Sequence, residues 1–183
     1  NSKMKYISLC NQWKYVFSIA IISFNVVAQR PSLVGGDTAS AGVDSAYKNL
    51  KPKIIHYTSD TLKLKGYLYI PVGKGPFPVY IWNHGSEKNP KYEKGIAAFW
   101  LKRRYVFFMP IRSGQGDNPG EYICYEEKQI RRTKETEQLQ FRRIYALHKK
   151  ANEDIIAALQ WIKRQPFADT NNIVLAGSGC AGI

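Results

Sequence analysis

Residues 172–183 read NIVLAGSGCAGI, an apolar run that passes directly into a stretch of small residues. Branched aliphatic side chains favour a buried strand, whereas glycine and serine favour a tight turn in which the backbone can take unusual φ values. The segment therefore predicts a strand that ends in a sharp turn of small residues.

A second strand with the same kind of ending lies upstream. Residues 77–82 read FPVYIW without polar alternation, which is typical of a strand buried on both faces of a sheet. This run passes into Asn83-His84-Gly85-Ser86. The sequence therefore contains two predicted strands that end in glycine-containing turns.

The residues between and before these strands alternate between strand and helix patterns. Strands are predicted at 53–57 and 61–70, which would form an antiparallel pair, and at 105–109; helices are predicted at 92–103 and 133–164. Strands that alternate with helices indicate an α/β protein. We expect a mostly parallel sheet with helices on both faces and an antiparallel edge.

Composition narrows the function classes. The chain has 183 residues with 27 basic and 14 acidic side chains, a formal net charge of +13, but the basic residues are scattered among acidic and apolar ones. This distribution is typical of a solvated surface, so we predict no nucleic-acid partner. Three cysteines and three histidines, in no zinc-ligand spacing, predict neither a disulfide framework nor a metal site, and no cofactor is expected. A basic protein that binds anionic surface polymers, with affinity lost as salt rises, is the alternative explanation of the charge.

The N-terminal segment has the pattern of an export signal. Lysines precede an apolar run at 15–27, and Val26-Val27-Ala28 supplies small residues for cleavage. We predict a signal peptide at 1–28 with cleavage after Ala28, a flexible linker at 29–50 and a folded domain at 51–183, in a secreted or periplasmic protein. The apolar run is shorter than the roughly 20 residues of a membrane span, so a stable span is the weaker alternative. The sequence does not define an oligomeric state.

Four stretches carry a resemblance to a known family. They are YIWNHGSEKNP at 80–90, VFFMPIRSGQG at 106–116, NPG at 118–120 and the strand and turn at 173–183. Together they resemble the N-terminal half of a secreted bacterial α/β-hydrolase of the dienelactone hydrolase or prolyl-oligopeptidase-like type. The resemblance implies an α/β-hydrolase fold that stops after the fifth strand and the nucleophile elbow.

The resemblance also implies a chemistry. In such hydrolases the elbow serine attacks an ester or peptide carbonyl, a histidine takes its proton and an acid orients the histidine. Two backbone N–H groups hold the oxyanion. By resemblance, one N–H comes from Ser86 or its neighbour Gly85, and the other from Cys180.

The elbow departs from the family pattern Ala-Gly-x-Ser-x-Gly-Gly-Ile. Residues 176–183 read AGSGCAGI, so the ungapped register places Gly179 at the nucleophile position. A shift of one residue in either direction offers Cys180 or, less favourably, Ser178 as the nucleophile. The family order places the acid and the histidine after the elbow. We therefore interpret the sequence as a hydrolase fragment that is inactive as given; the alternative is a catalytically dead binding module with Gly179 as a true replacement. The substrate is not predicted beyond an ester or peptide of the complete protein.

Overall fold

The computed structural model describes residues 49–179. The predicted signal peptide, nearly all of the predicted linker, and Cys180 lie outside the described residues. Within them the elements are, in chain order, β1 (Lys53–Ser59), β2 (Leu62–Tyr69), β3 (Phe77–Asn83), α1 (Lys94–Lys102), β4 (Val106–Pro110), α2 (Ile123–Arg131), α3 (Glu137–Lys163) and β5 (Ala168–Gly177).

The strands form one five-stranded mixed sheet in the order β1-β2-β4-β3-β5. Strands β1 and β2 pair antiparallel around a turn in which Asp60 has a φ of +50°, and β2 pairs antiparallel with β4. Strand β3 lies between β4 and β5 and is parallel to both. The predicted antiparallel edge is therefore confirmed, whereas the described sheet is mixed rather than mostly parallel, with two antiparallel and two parallel strand pairings.

The sheet carries a separate apolar cluster on each face. Successive residues of β4 alternate between the two, since Phe108 joins one cluster and Phe107 joins the other, each fully buried. Helix α3 covers the first cluster through Ala158 and Ile162, and α1 covers the second through Ala97 and Leu101. Helices therefore cover both faces of the sheet, as predicted. The apolar runs of β3 and β4 require this cover, because they place apolar side chains on both faces.

Helix α2 was not predicted from the sequence. It is only nine residues long and reads ICYEEKQIR, so its buried side chains are separated by charged ones. One charged residue, Glu127, lies on the buried side and binds the exposed guanidinium of Arg131 at 2.6 Å. The apolar periodicity that reveals α3 is therefore too short and too diluted to reveal α2.

Two other boundaries differ from the sequence prediction by four residues, and the remaining ones by one or two. Helix α3 begins at Glu137 rather than 133, because the Thr136 side chain caps it by accepting a hydrogen bond from the Leu139 amide. Strand β5 begins at Ala168 rather than Asn172, with a register irregularity opposite the start of β3. None of the helices described between residues 49 and 179 is long and apolar enough to cross a membrane.

Candidate active site

The two predicted glycine-containing turns meet at one edge of the sheet. Because β3 and β5 are parallel neighbours, their carboxyl ends lie side by side, and the Ser178 amide donates to the Asn83 carbonyl at 3.1 Å. A Cβ atom placed on Gly85 would lie 3.4 Å from the Ser178 carbonyl oxygen and 3.1 Å from the Glu87 carboxylate. The structure therefore brings Ser178 and Gly85 together.

Gly179 lies at the end of the described chain with a φ of +61°. This left-handed conformation is open to glycine at little cost and strained for residues with a Cβ atom. A Cβ atom placed on Gly179 would meet nothing within 4 Å among the described residues. Backbone conformation is therefore the constraint that the described residues show at this position. The assignment of the nucleophile among Gly179, Ser178 and Cys180 stays a prediction.

The loop after β3 is held by a buried arginine from the loop after β4. Arg112 is 3% exposed, and its guanidinium donates to the carbonyl oxygens of His84 at 3.1 Å and Gly85 at 2.5 Å. Its Nε donates to the side chain of Gln115 at 3.0 Å. The sequence left open whether Arg112 is a solvated loop arginine. It is instead a buried donor that fixes the backbone of the candidate oxyanion loop.

Gln115 adds a second set of bonds to the same loop. Its fully buried amide donates to the carbonyl oxygens of Glu87 at 2.6 Å and Gly85 at 3.3 Å. Main-chain bonds join the loops further along, since the Gly116 amide donates to the Lys88 carbonyl at 2.7 Å. The backbone from 84 to 88 is thus fixed by the RSGQG segment that the sequence singled out.

Ser86, the other predicted oxyanion residue, is fixed from a different side. Its carbonyl oxygen accepts a hydrogen bond from the Tyr122 hydroxyl at 2.6 Å and a weaker one from the Cys124 thiol at 3.8 Å. Both donors come from the start of α2, which sequence reasoning missed. The sequence around Tyr122 does not indicate this role, because its partner Ser86 lies 36 residues away along the chain.

The close approach of α2 depends on a glycine. Gly114 has a φ of +68°, and a Cβ atom on it would lie 2.1 Å from the Glu121 carbonyl oxygen. The Gly114 amide donates to the Pro119 carbonyl at 2.9 Å, which closes the turn before the helix. Only glycine fits this position.

A buried asparagine anchors the other end of the same loop. The Asn118 side chain accepts from the Lys65 amide at 2.9 Å and donates to the Ile111 carbonyl at 2.7 Å. The Tyr57 hydroxyl donates to that Ile111 carbonyl as well, at 2.9 Å, and burial raises the pKa of this phenol. The loop after β4 is therefore tied to β1 and β2 and serves as a rigid support for the candidate site.

His84 is a buried neutral imidazole at this edge. It is 3% exposed, and its Nδ1 lies 3.1 Å from the Gly85 carbonyl oxygen, so Nδ1 carries the proton. Burial, and then the charge of Arg112, lowers the pKa of His84 to about 3. An imidazole with this pKa stays neutral at physiological pH. His84 therefore supports the loop and is a poor proton acceptor.

The other two histidines lie away from the turns. His56 is exposed on β1, and the Nε2 atom of His148 on α3 lies 3.3 Å from the carboxylate of Glu127 on α2. The bond to His148, together with Arg131, holds the pKa of Glu127 at about 2 despite its burial. The Glu127–His148 pair thus joins α2 to α3 and is separate from the candidate site.

A cavity of about 330 Å³ opens at the edge where the two turns meet. Its walls include Trp82, His84, Gly85, Glu87, Met109 and Ser178. The candidate nucleophile turn and the candidate oxyanion loop thus face a common space that is large enough for part of a small substrate. No group of three or more potential metal ligands occurs among residues 49–179.

Comparison with solved structures identifies the architecture. The α/β-hydrolase GrgF from Penicillium sp. sh18 superposes with a TM-score of 0.50 at 19% sequence identity, over 70% of this chain and 37% of the GrgF chain. The fold is that of an α/β-hydrolase. The predicted resemblance is confirmed at the level of fold.

Two further structures show the same likeness at lower scores. Est1E from Butyrivibrio proteoclasticus, solved with ferulic acid, matches with a TM-score of 0.48 and 18% identity, over 67% of this chain and 41% of its own. An acylaminoacyl peptidase from Pyrococcus horikoshii matches with a TM-score of 0.47 and 18% identity, over 73% of this chain and 20% of its own. The chain thus spans less than half the length of each of these α/β-hydrolase-fold structures. No protein-family model and no curated protein matches the sequence.

Proposed function

We propose that the chain is part of a secreted serine hydrolase that acts on ester or peptide bonds. The observation that carries this proposal is the hydrogen bond from the Ser178 amide to the Asn83 carbonyl, which sets the turn after β5 against the loop after β3. In α/β-hydrolases the nucleophile and the oxyanion donors lie at this edge. A hydrolase therefore accounts for the two glycine-containing turns and for the support given to them by the loop after β4.

The proposed chemistry assigns a role to each turn. In the longer protein, a serine hydroxyl at the position of Gly179 adds to the substrate carbonyl carbon while a base takes its proton; the same base passes that proton to the leaving alcohol or amine, and water then cleaves the acyl-enzyme to release the acid. The oxyanion is held by one N–H from the loop at Gly85 or Ser86 and by that of the residue after the nucleophile, Cys180 in the ungapped register. N–H donors on a rigid loop need little rearrangement when the oxyanion forms. Arg112 and Gln115 make the loop rigid by donating hydrogen bonds to its carbonyl oxygens.

The proton acceptor of the reaction is not one of the histidines placed by the structure. His84 is held neutral by a pKa of about 3, and neither His56 nor His148 lines the cavity at the two turns. The order nucleophile, acid, histidine in this fold places the acid and the base after residue 183. We therefore expect residues 1–183 alone to be inactive, with the activity residing in a longer product.

One observation favours a second candidate, an inactive α/β-hydrolase-like binding module. Gly179 has the positive φ that a nucleophile elbow imposes, and glycine is the residue that takes it with least strain. A glycine selected for this position would keep the elbow and remove the attacking group. The fold would then present the 330 Å³ cavity as a binding site only.

The nucleotide sequence from codon 172 onward, read in all three frames, separates the two candidates, because it covers both the elbow codons and whatever follows codon 183. The hydrolase proposal predicts further strands, an acid and a histidine, and a serine restored at the elbow by a one-base correction. Those strands together with a retained Gly179 would support the binding module instead. A sequence without further α/β-hydrolase strands in any frame would contradict both.

A further inference from the structure

A second and larger concave surface lies beside the candidate active site. This cleft has a volume of about 690 Å³ and is formed by β2, the segment before α1, and the turn at Gly116-Asp117. Ligand sites of proteins commonly have volumes of roughly 300–1,000 Å³. The cleft adjoins the site, since Asn89, Pro90 and Lys91 line both the cleft and the 330 Å³ cavity.

The cleft is basic. Three lysines line it, Lys65, Lys91 and Lys94, against one acidic residue, Asp117. Asp117 is 87% exposed, and its carboxylate forms an ion pair with the Lys65 ammonium, whose side chain is 19% exposed. The bond and the charge of Lys65 lower the pKa of Asp117, so it remains ionised. An exposed carboxylate of the protein therefore already occupies the position at which an anion would meet Lys65.

The same cleft has aromatic walls. The rings of Tyr67 and Tyr92 meet edge to face with centroids 5.7 Å apart, and the Lys94 ammonium lies 5.4 Å from the centre of the Tyr92 ring. Tyrosine rings offer an apolar surface to a planar ligand, and the adjacent ammonium groups attract negative charge. The planar apolar surface of the Tyr92 ring and the positive charge of Lys94 thus lie next to each other in the cleft.

We propose that this cleft binds a small aromatic carboxylate, with the ring against Tyr67 and Tyr92 and the carboxylate among the lysines. The tyrosines and lysines together favour a ligand that has both an aromatic ring and a negative charge. A neutral aromatic molecule leaves the ammonium groups without a partner, and a small aliphatic acid leaves the tyrosine rings uncovered. The proposal goes beyond the hydrolase function and is independent of it, because it concerns binding in a cleft made wholly of described residues.

Binding of benzoate to the chain, measured by titration calorimetry and ligand-observed NMR, tests the proposal without any turnover. Benzamide is the matched neutral ligand and acetate the matched non-aromatic acid. We expect benzoate to bind at least about fivefold more tightly than either, and to weaken as sodium chloride is raised, because partly exposed charges are screened by salt. Equal affinity for benzoate and benzamide, or no binding of benzoate, would overturn the proposal.

Two variants locate the site. We expect the double variant Lys91→Ala/Lys94→Ala to raise the benzoate Kd about fivefold, and Asp117→Asn to lower it about twofold because Lys65 loses its internal anion. Lys74→Ala, which removes an exposed lysine outside the cleft, is the control and is expected to leave the Kd unchanged. An unchanged Kd in the double variant, an equal effect in the control, or no tightening in Asp117→Asn would overturn the proposal. The Asp117 variant predicts a gain, so a loss of folding cannot imitate it.

Discussion

The guanidinium of Arg112 donates to the carbonyl oxygen of Gly85 at 2.5 Å across 27 residues of chain. The same guanidinium also binds the His84 carbonyl, so the two successive peptide groups on either side of Gly85 are held by one buried cation. A charged donor satisfies buried carbonyl oxygens more strongly than a neutral one. This contact makes the loop after β3 a rigid part of the fold.

Arg112→Ala is expected to lower the free energy of unfolding by about 3 kcal/mol, because two buried carbonyl oxygens and the Gln115 side chain lose a charged donor. Arg112→Lys keeps the charge without the planar fork and is expected to lose less. Urea denaturation gives the stabilities, and hydrogen exchange of amides 84–88 reports on the loop. The exposed Arg142→Ala is the control, and a similar effect in both alanine variants would contradict the role of Arg112.

Two glycine-to-alanine variants are expected to change stability in opposite directions. Gly114→Ala places a Cβ atom 2.1 Å from the Glu121 carbonyl at a φ of +68°, so we expect a loss of about 3 kcal/mol or more. Gly95→Ala, in the first turn of α1 with open space around it, is expected to gain about 0.5 kcal/mol through helix propensity. Thermal denaturation of both variants checks the pair. A stable Gly114→Ala protein would show that the turn before α2 is not built as described.

His84 predicts a dependence of stability on pH. Its pKa in the folded protein is about 3, below the ordinary value of 6.5, so the unfolded chain takes up a proton first as pH falls. Its contribution is therefore complete above pH 6.5 and declines as pH falls toward 3, with a slope of about 1.4 kcal/mol per pH unit. His84→Asn is expected to flatten the stability profile between pH 6.5 and 5, above the range in which carboxylates titrate. His56→Asn, which changes an exposed histidine on β1, is the control for the substitution itself. A slope unaffected by His84→Asn would contradict the assignment.

Much of the fold could be predicted from local sequence patterns, whereas most of the hydrogen bonds that hold the candidate site could not. Each of these elements could be predicted from its own segment of sequence: β3, β4 and β5 from continuous apolar runs, and α3 from its helical periodicity. Helix α2 was missed because nine residues with a buried glutamate do not show a clear period. The bonds from Tyr122 to Ser86 and from Arg112 to Gly85 join residues 36 and 27 positions apart. No local pattern encodes such contacts, because they arise only after the chain has folded.

Export remains a prediction that protein chemistry can test. Val26 and Ala28 are residues of the small type that a signal peptidase pocket accepts, so the mature protein of a Gram-negative host is expected to begin at Gln29. N-terminal sequencing of the exported product checks this. A product that begins at Met4, or one retained in the cytoplasm, would contradict the signal-peptide assignment.

Fluorophosphonate labelling of the purified chain, read out by mass spectrometry of the peptide that contains residues 172–183, tests most directly whether the elbow lacks an attacking group. The ungapped register puts Gly179 at the nucleophile position, and the histidine that lines the cavity with Ser178, His84, has a pKa of about 3, so we expect the Ser178 hydroxyl to stay protonated and weakly nucleophilic. We expect no adduct on Ser178 above the level seen at the same peptide of a Ser178→Ala control. An adduct on Ser178 above that control would contradict both the ungapped register and the inactivity of the chain.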